Sequence, residues 1–116
     1  MTYALLIYRL ASEAREKLDE ASALERHRAL QAEARARGEL HAVARLDDAA
    51  RARTVRRTAG AHQITDGPYV ETKEWLVGFY LIDCASEDEA VARAQGLCGD
   101  EHHAIEVRPV AWKHPE

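Results

Sequence analysis

His27 is the residue best suited to proton chemistry in this 116-residue chain. An imidazole titrates near neutrality and can serve as general acid or base toward a bound small molecule. Leu24, His27, Leu30 and Ala34 recur at helical spacing, so a helix through them turns the imidazole toward the sheet its apolar stripe packs on. The same position suits a core histidine bonded to a backbone carbonyl, and spacing does not separate the two readings. A second group lies in Asp66-Gly67-Pro68-Tyr69, followed by Glu71, Thr72 and Lys73. Glycine permits positive φ and proline stiffens the turn, so the loop can hold Asp66, Tyr69 and Lys73 at the mouth of a cleft to orient a polar ligand. Equally, Asp66 can cap the turn and the residues after it can lead into a strand.

Other reactive types are less well placed. Cys98, His102 and His103 are metal-ligand types, yet adjacent histidines point opposite ways on a strand and no fourth ligand accompanies them at a recognisable spacing. No metal is expected. Ser12, Ser22 and Ser86 fit helix caps better than nucleophiles, and neither a nucleophile elbow nor a phosphate-binding glycine loop occurs. No cofactor is expected. His41 and His62 fall in strand or strand-edge segments and are expected to be exposed.

The elements that must position these residues follow from pattern. Ala4 to Tyr8 is a continuous apolar run suited to a buried strand. A helix follows, its body from Ser22 to Arg37, opening with the capping-box pattern Ser22-Ala23-Leu24-Glu25 and closing at Gly38 as C′ residue. Ser12 to Leu18 is a separate helical turn or the front of the same helix. Leu40 to Leu46 and Ala52 to Thr58 are short strands, and Ala61 to Thr65 can pair with the second through a turn at Ala59-Gly60. Trp75 to Cys84 is the strongest strand. Ser86-Glu87-Asp88-Glu89 begins a second helix, with Ser86 as N-cap and acids over its first turn, and Ala104 to Val110 is the last strand.

The order β-α-β-(β-hairpin)-β-α-β is the split βαβ plan of ferredoxin-like α+β domains, in one domain over residues 1–116. Such a sheet carries helices on one face only. Along Trp75-Leu76-Val77-Gly78-Phe79-Tyr80-Leu81-Ile82, however, both alternating sets are apolar, and Ala4 to Ile7 behaves the same way. Something must cover the second face, and a second copy of the sheet is the simplest cover, so a homodimer is expected.

Composition narrows the function classes. With 47% hydrophobic and 31% charged residues, the chain falls among folded globular proteins rather than disordered ones. Arginines crowd the stretch from Arg26 to Arg57, but Glu33, Glu39, Asp47 and Asp48 are interleaved and no aromatic residue lies there to stack on a base. A solvated helix face and hairpin account for this pattern better than nucleic-acid binding. The N-terminal apolar run lacks a basic lead-in and is too short for a signal peptide or membrane span, and two cysteines make no disulfide framework. A cytoplasmic protein with reduced thiols and no membrane partner is expected.

The segment Thr65-Asp66-Gly67-Pro68-Tyr69-Val70-Glu71-Thr72-Lys73-Glu74, followed by Gly78-Phe79-Tyr80-Leu81-Ile82, resembles the signature of the DGPF group of YCII-related proteins, which usually has Phe where this chain has Tyr69. The likeness runs from the Tyr3–Tyr8 strand to Glu106-Val107-Arg108-Pro109-Val110. It implies a dimeric α+β barrel of ferredoxin-like subunits. It also implies a helix histidine facing a cleft, for which His27, eleven residues before Gly38, has a similar spacing. The acid that the family carries near its second helix has no clear match in Ala92-Arg93-Ala94-Gln95-Gly96-Leu97, and Asp100 is the nearest carboxylate. Two functions follow as expectations. One is a lyase- or isomerase-like proton transfer by His27, supported by Asp66 and Tyr80, on a small polar or cyclic metabolite. The other is a non-catalytic ligand-binding or protein-interaction module connected with sigma-factor-dependent transcription.

Overall fold

A computed structural model describes residues 1–10, 20–69 and 74–115. The elements run in the expected order: β1 (Thr2–Leu10), α1 (Glu20–Ala36), β2 (Leu40–Arg45), a 3-10 turn at Ala49–Arg51, β3 (Arg53–Thr58), β4 (Ala61–Asp66), β5 (Glu74–Asp83), α2 (Glu87–Leu97) and β6 (His103–Pro109). The main sheet has the order β2-β5-β1-β6 with every neighbouring pair antiparallel. This is the ferredoxin-like arrangement, in which each helix connects two strands that flank a third. β3 and β4 form a separate two-stranded sheet.

Local chemistry explains the element ends. Gly38 sits at φ 68°, and the amides of Gly38 and Glu39 donate to the carbonyls of Arg35 and Ala34, completing a Schellman closure of α1. Ser86 caps α2 by accepting from the Glu89 amide at 3.1 Å, while the Glu89 carboxylate accepts from the Ala85 amide at 2.9 Å. At the start of α1 the capping expectation fails. Ser22 lies inside the helix, which is already formed at Glu20, so its hydroxyl is not at the N-cap position. The helical turn expected at Ser12 to Leu18 lies outside the described residues.

The core lies on one side of the main sheet. Tyr3, Leu5 and Ile7 of β1 and Tyr80 and Ile82 of β5 are buried with Leu30 and Ala34 of α1 and Ala90, Ala94 and Leu97 of α2. The intervening residues Ala4, Leu6, Phe79 and Leu81 are only partly buried, paired across the ladder as Ala4–Leu81 and Leu6–Phe79. Helices cover one face; the second is apolar and only partly buried, with no described helix over it. The β1–β5 ladder slips once, between Ile7 and Tyr8, where Val77 is left without a partner and turns in to pack against the core. Next to this bulge Gly78 takes part in a very close strand contact, since a Cβ there would stand 2.7 Å from the carbonyl oxygen of Ala44. Both cysteines are free, Cys84 buried and Cys98 exposed. No described helix is long and apolar enough to cross a membrane.

Candidate functional site

His27 lies in the N-terminal half of α1, three residues before the buried Leu30. That spacing carries its ring to the rim of the core, where it meets Tyr80 from the middle of β5. The His27 Nδ1 is 2.7 Å from the Tyr80 hydroxyl, and the rings stack at 5.8 Å between centroids with 10° between planes. One turn further along the same helix face, Gln31 Nε2 donates to the Tyr80 hydroxyl at 3.2 Å. The hydroxyl accepts from Gln31 and has one proton to give; where it donates to His27 Nδ1, the neutral imidazole carries its own proton on Nε2. Burial lowers the pKa of His27, and the nearby charge of His103 lowers it further. Burial raises that of Tyr80 despite the Gln31 bond, so both groups favour their neutral forms.

His103 and Asp100 complete the rim opposite α1. His103 opens β6 in phase with Ile105 and Val107, which pack against the core. Its Nδ1 is 2.9 Å from Asp100 Oδ1, which also accepts from the His102 amide at 2.8 Å. Burial works against the Asp100 carboxylate, but these two hydrogen bonds and the charges of the two histidines together hold its pKa below the usual 3.8. The Arg26 side chain lies against Gly99, so α1 and the α2–β6 connection meet directly beside His27. The sequence offered one signal for His103 that went unused: the period of two through His103, Ile105 and Val107.

The other expected site residues lie elsewhere. Asp66 ends β4 with a largely exposed carboxylate, ion-paired to Arg53 at 3.4 Å. Tyr69 is exposed and has the Arg56 guanidinium 5.5 Å from its ring centroid. Both engage the β3–β4 hairpin rather than His27 or Tyr80. Tyr69 also borders a cavity of about 440 Å³, with Tyr8, Leu46, Pro68, Trp75 and Leu76 among its walls. Lys73 lies outside the described residues. Of the expected set, the fold therefore brings His27 and Tyr80 into contact and adds Gln31, His103 and Asp100 around them. His41 bonds the Asp83 carboxylate at 2.8 Å, and the Thr2 hydroxyl donates to the same group at 2.6 Å, a pairing that ties β1, β2 and β5 together.

Comparison with known proteins agrees with this architecture. An uncharacterized protein of Rhizobium meliloti (strain 1021) is 49% identical over 80 residues, a stretch covering 67% of this chain and 64% of that relative. The chain thus spans somewhat less than two thirds of the relative's length. The YCII-related domain matches residues 1–112, from the first strand to beyond the last, and the protein belongs to the YCII-related family.

Proposed function

We propose that this protein is a dimeric YCII-related protein of the DGPF group that binds a small polar or cyclic metabolite beside His27 and moves a proton on it. The observation that carries the reading is the 2.7 Å contact between His27 and Tyr80. With the Tyr80 hydroxyl as donor, the imidazole is held on its Nδ1 side and Nε2–H is left as a donor. His103 is held the other way round. Its Nδ1 donates to the Asp100 carboxylate, so Nε2 is the nitrogen left to exchange a proton, a base when the ring is neutral. One histidine is thereby disposed as acid and the other as base, on two elements that meet at one rim, as a lyase- or isomerase-like reaction requires. Asp66 and Tyr69 contribute to ligand orientation only where the hairpin root reaches the cleft. The dimer rests on the open apolar sheet face, where Leu6 and Phe79 stand opposite one another without a helix over them.

A second reading, a non-catalytic ligand-binding or protein-interaction module connected with transcription, draws on the fact that Asp66 and Tyr69 engage arginines rather than His27. A thermal-shift screen against small organic acids and cyclic metabolites separates the two, with wild type run beside His27→Ala. A ligand at a hundredfold over its Kd stabilises a fold by about 2.7 kcal/mol. A hit lost in the folded variant, followed by turnover, supports the first reading. Hits indifferent to His27, or none, favour the second.

A further inference from the structure

Among the described residues the β3–β4 hairpin pairs with no other strand. It is rooted at one place, where the Gly67 amide donates to the Ala52 carbonyl at 2.7 Å and the Thr54 hydroxyl donates to the Gly67 carbonyl at 2.8 Å. Beyond that root every residue of β4 is exposed, and every residue of β3 except Thr54. Strands of this length extend about 20 Å. The radius of gyration is 16.0 Å, against about 13 Å for a compact chain of this size, as a projecting arm requires. A lone two-stranded hairpin is at best marginally stable in water and needs a surface to lie on.

The arm carries what such a surface would recognise. Val55 and Ile64 stand directly opposite each other in the ladder, on one face, and are 63% and 59% exposed. Arg57 and Arg53 flank Val55 on that same face. Residues 53–66 hold three arginines and one aspartate, a formal +2 in a chain of −4, which leaves −6 on the rest. The body offers the complement, an uncovered apolar face on an acidic domain. One chain therefore bears both a basic arm with an apolar pair and an apolar surface within an acidic body, and its own arm leaves that surface open. Two unmatched, complementary surfaces on one chain are satisfied together by a two-fold pairing, in which each copy supplies what the other lacks.

We propose that the β3–β4 hairpin is an interchain arm that lays Val55 and Ile64 on the body of a second copy of this chain, at the margin of its open sheet face. This rests on the dimer proposed above and adds the element that clamps it. The arm gains the third layer that it lacks alone, and Arg53 and Arg57, on the same face as Val55, are brought toward the acidic body of the partner copy.

Sedimentation equilibrium of the full chain tests this, with wild type compared with the double variant Val55→Asp, Ile64→Asp. Both positions are exposed, so the far-ultraviolet circular dichroism of the body should be unchanged. The expected result is a wild-type dimer whose dissociation constant rises at least tenfold in the variant. Amide exchange in β3 and β4 should also slow as wild-type protein concentration increases. A wild-type dimer that the variant matches in affinity, with hairpin exchange independent of concentration, overturns the arm and leaves the dimer standing. A wild-type monomer throughout the micromolar range overturns both.

Discussion

The hydroxyl of Tyr80 joins two side chains of α1 at once, standing 2.7 Å from His27 Nδ1 and 3.2 Å from Gln31 Nε2. His27 and Gln31 are one helical turn apart, so a single residue at the centre of β5 holds both side chains in place. Tyr80 is itself 1% exposed, and its ring belongs to the core. The site is therefore anchored in the most rigid part of the fold while His27 remains at its edge.

Removing that anchor should weaken the fold. Tyr80→Phe keeps the packing of the ring but deprives His27 and Gln31 of their shared partner. The expected cost is about 1 kcal/mol, the usual net value of such bonds, measured as a lower urea midpoint with an unchanged slope. The pKa of His27 should stay below its ordinary value in the same variant, because burial and the charge of His103, which lower it, are unchanged.

Stability should depend on pH through His27 in a defined window. A histidine whose folded pKa lies below 6.5 binds its proton more readily in the unfolded chain. Its contribution is in place above 6.5 and is lost as pH falls from there through the folded value. Urea unfolding at about pH 7.5 and about pH 5.5 should show wild type losing more stability on acidification than His27→Gln. The depressed carboxylates of Asp83 and Asp100 act in a separate window, below their ordinary value of 3.8. An equal loss in wild type and variant would contradict the assignment to His27.

Gly78 should not accept a side chain. A Cβ there would meet a backbone oxygen, that of Ala44 at 2.7 Å, which can give way only if β2 shifts along its ladder with β5. Gly78→Ala is expected to cost about 1–3 kcal/mol, as overpacking does, and to perturb amide signals in β2 more than in β6. A variant as stable as wild type would show that the two strands separate freely.

The hairpin turn should be improvable. Ala59 and Gly60 both have positive φ, at 52° and 81°, and they join Thr58 to Ala61 as a two-residue turn of the mirror-image type. Alanine is strained there by about 1 kcal/mol, whereas Asn tolerates the conformation. Ala59→Asn should slow amide exchange in β3 and β4 without changing the main sheet. Faster exchange in those strands would contradict the turn geometry.

Much of the fold is legible in the residue pattern because its strands and helix ends are locally consistent. Apolar runs mark β1 and β5, Gly38 marks a left-handed helix end, and Ser86 with Glu89 marks a helix start. Two expectations failed where local pattern and tertiary contact diverge. Ser22-Ala23-Leu24-Glu25 has the form of a capping box, yet the helix continues N-terminal to it, and Leu24 is 50% exposed instead of facing the sheet. The inward turn of His27 is readable from its spacing to Leu30 and Ala34, which are buried. Tyr80 is expected from the sequence to support His27, but their direct bond across 53 positions depends on the register of β5 against β1, which brings the tyrosine under the helix. Asp100 stands out in the sequence only as the acid nearest to where the family carries one, and its hydrogen bond to His103 gives it a place beside the site.

The central claim is that His27 is a neutral imidazole presenting Nε2–H, bonded through Nδ1 to Tyr80. Nitrogen-detected NMR of the histidine side chains across a pH titration, assigned with His27→Gln, tests it most directly. The account predicts that His27 carries its proton on Nε2 and titrates below 6.5, with the tautomer preference weakened in Tyr80→Phe. A proton on Nδ1, or titration at or above the ordinary value in wild type, would contradict it.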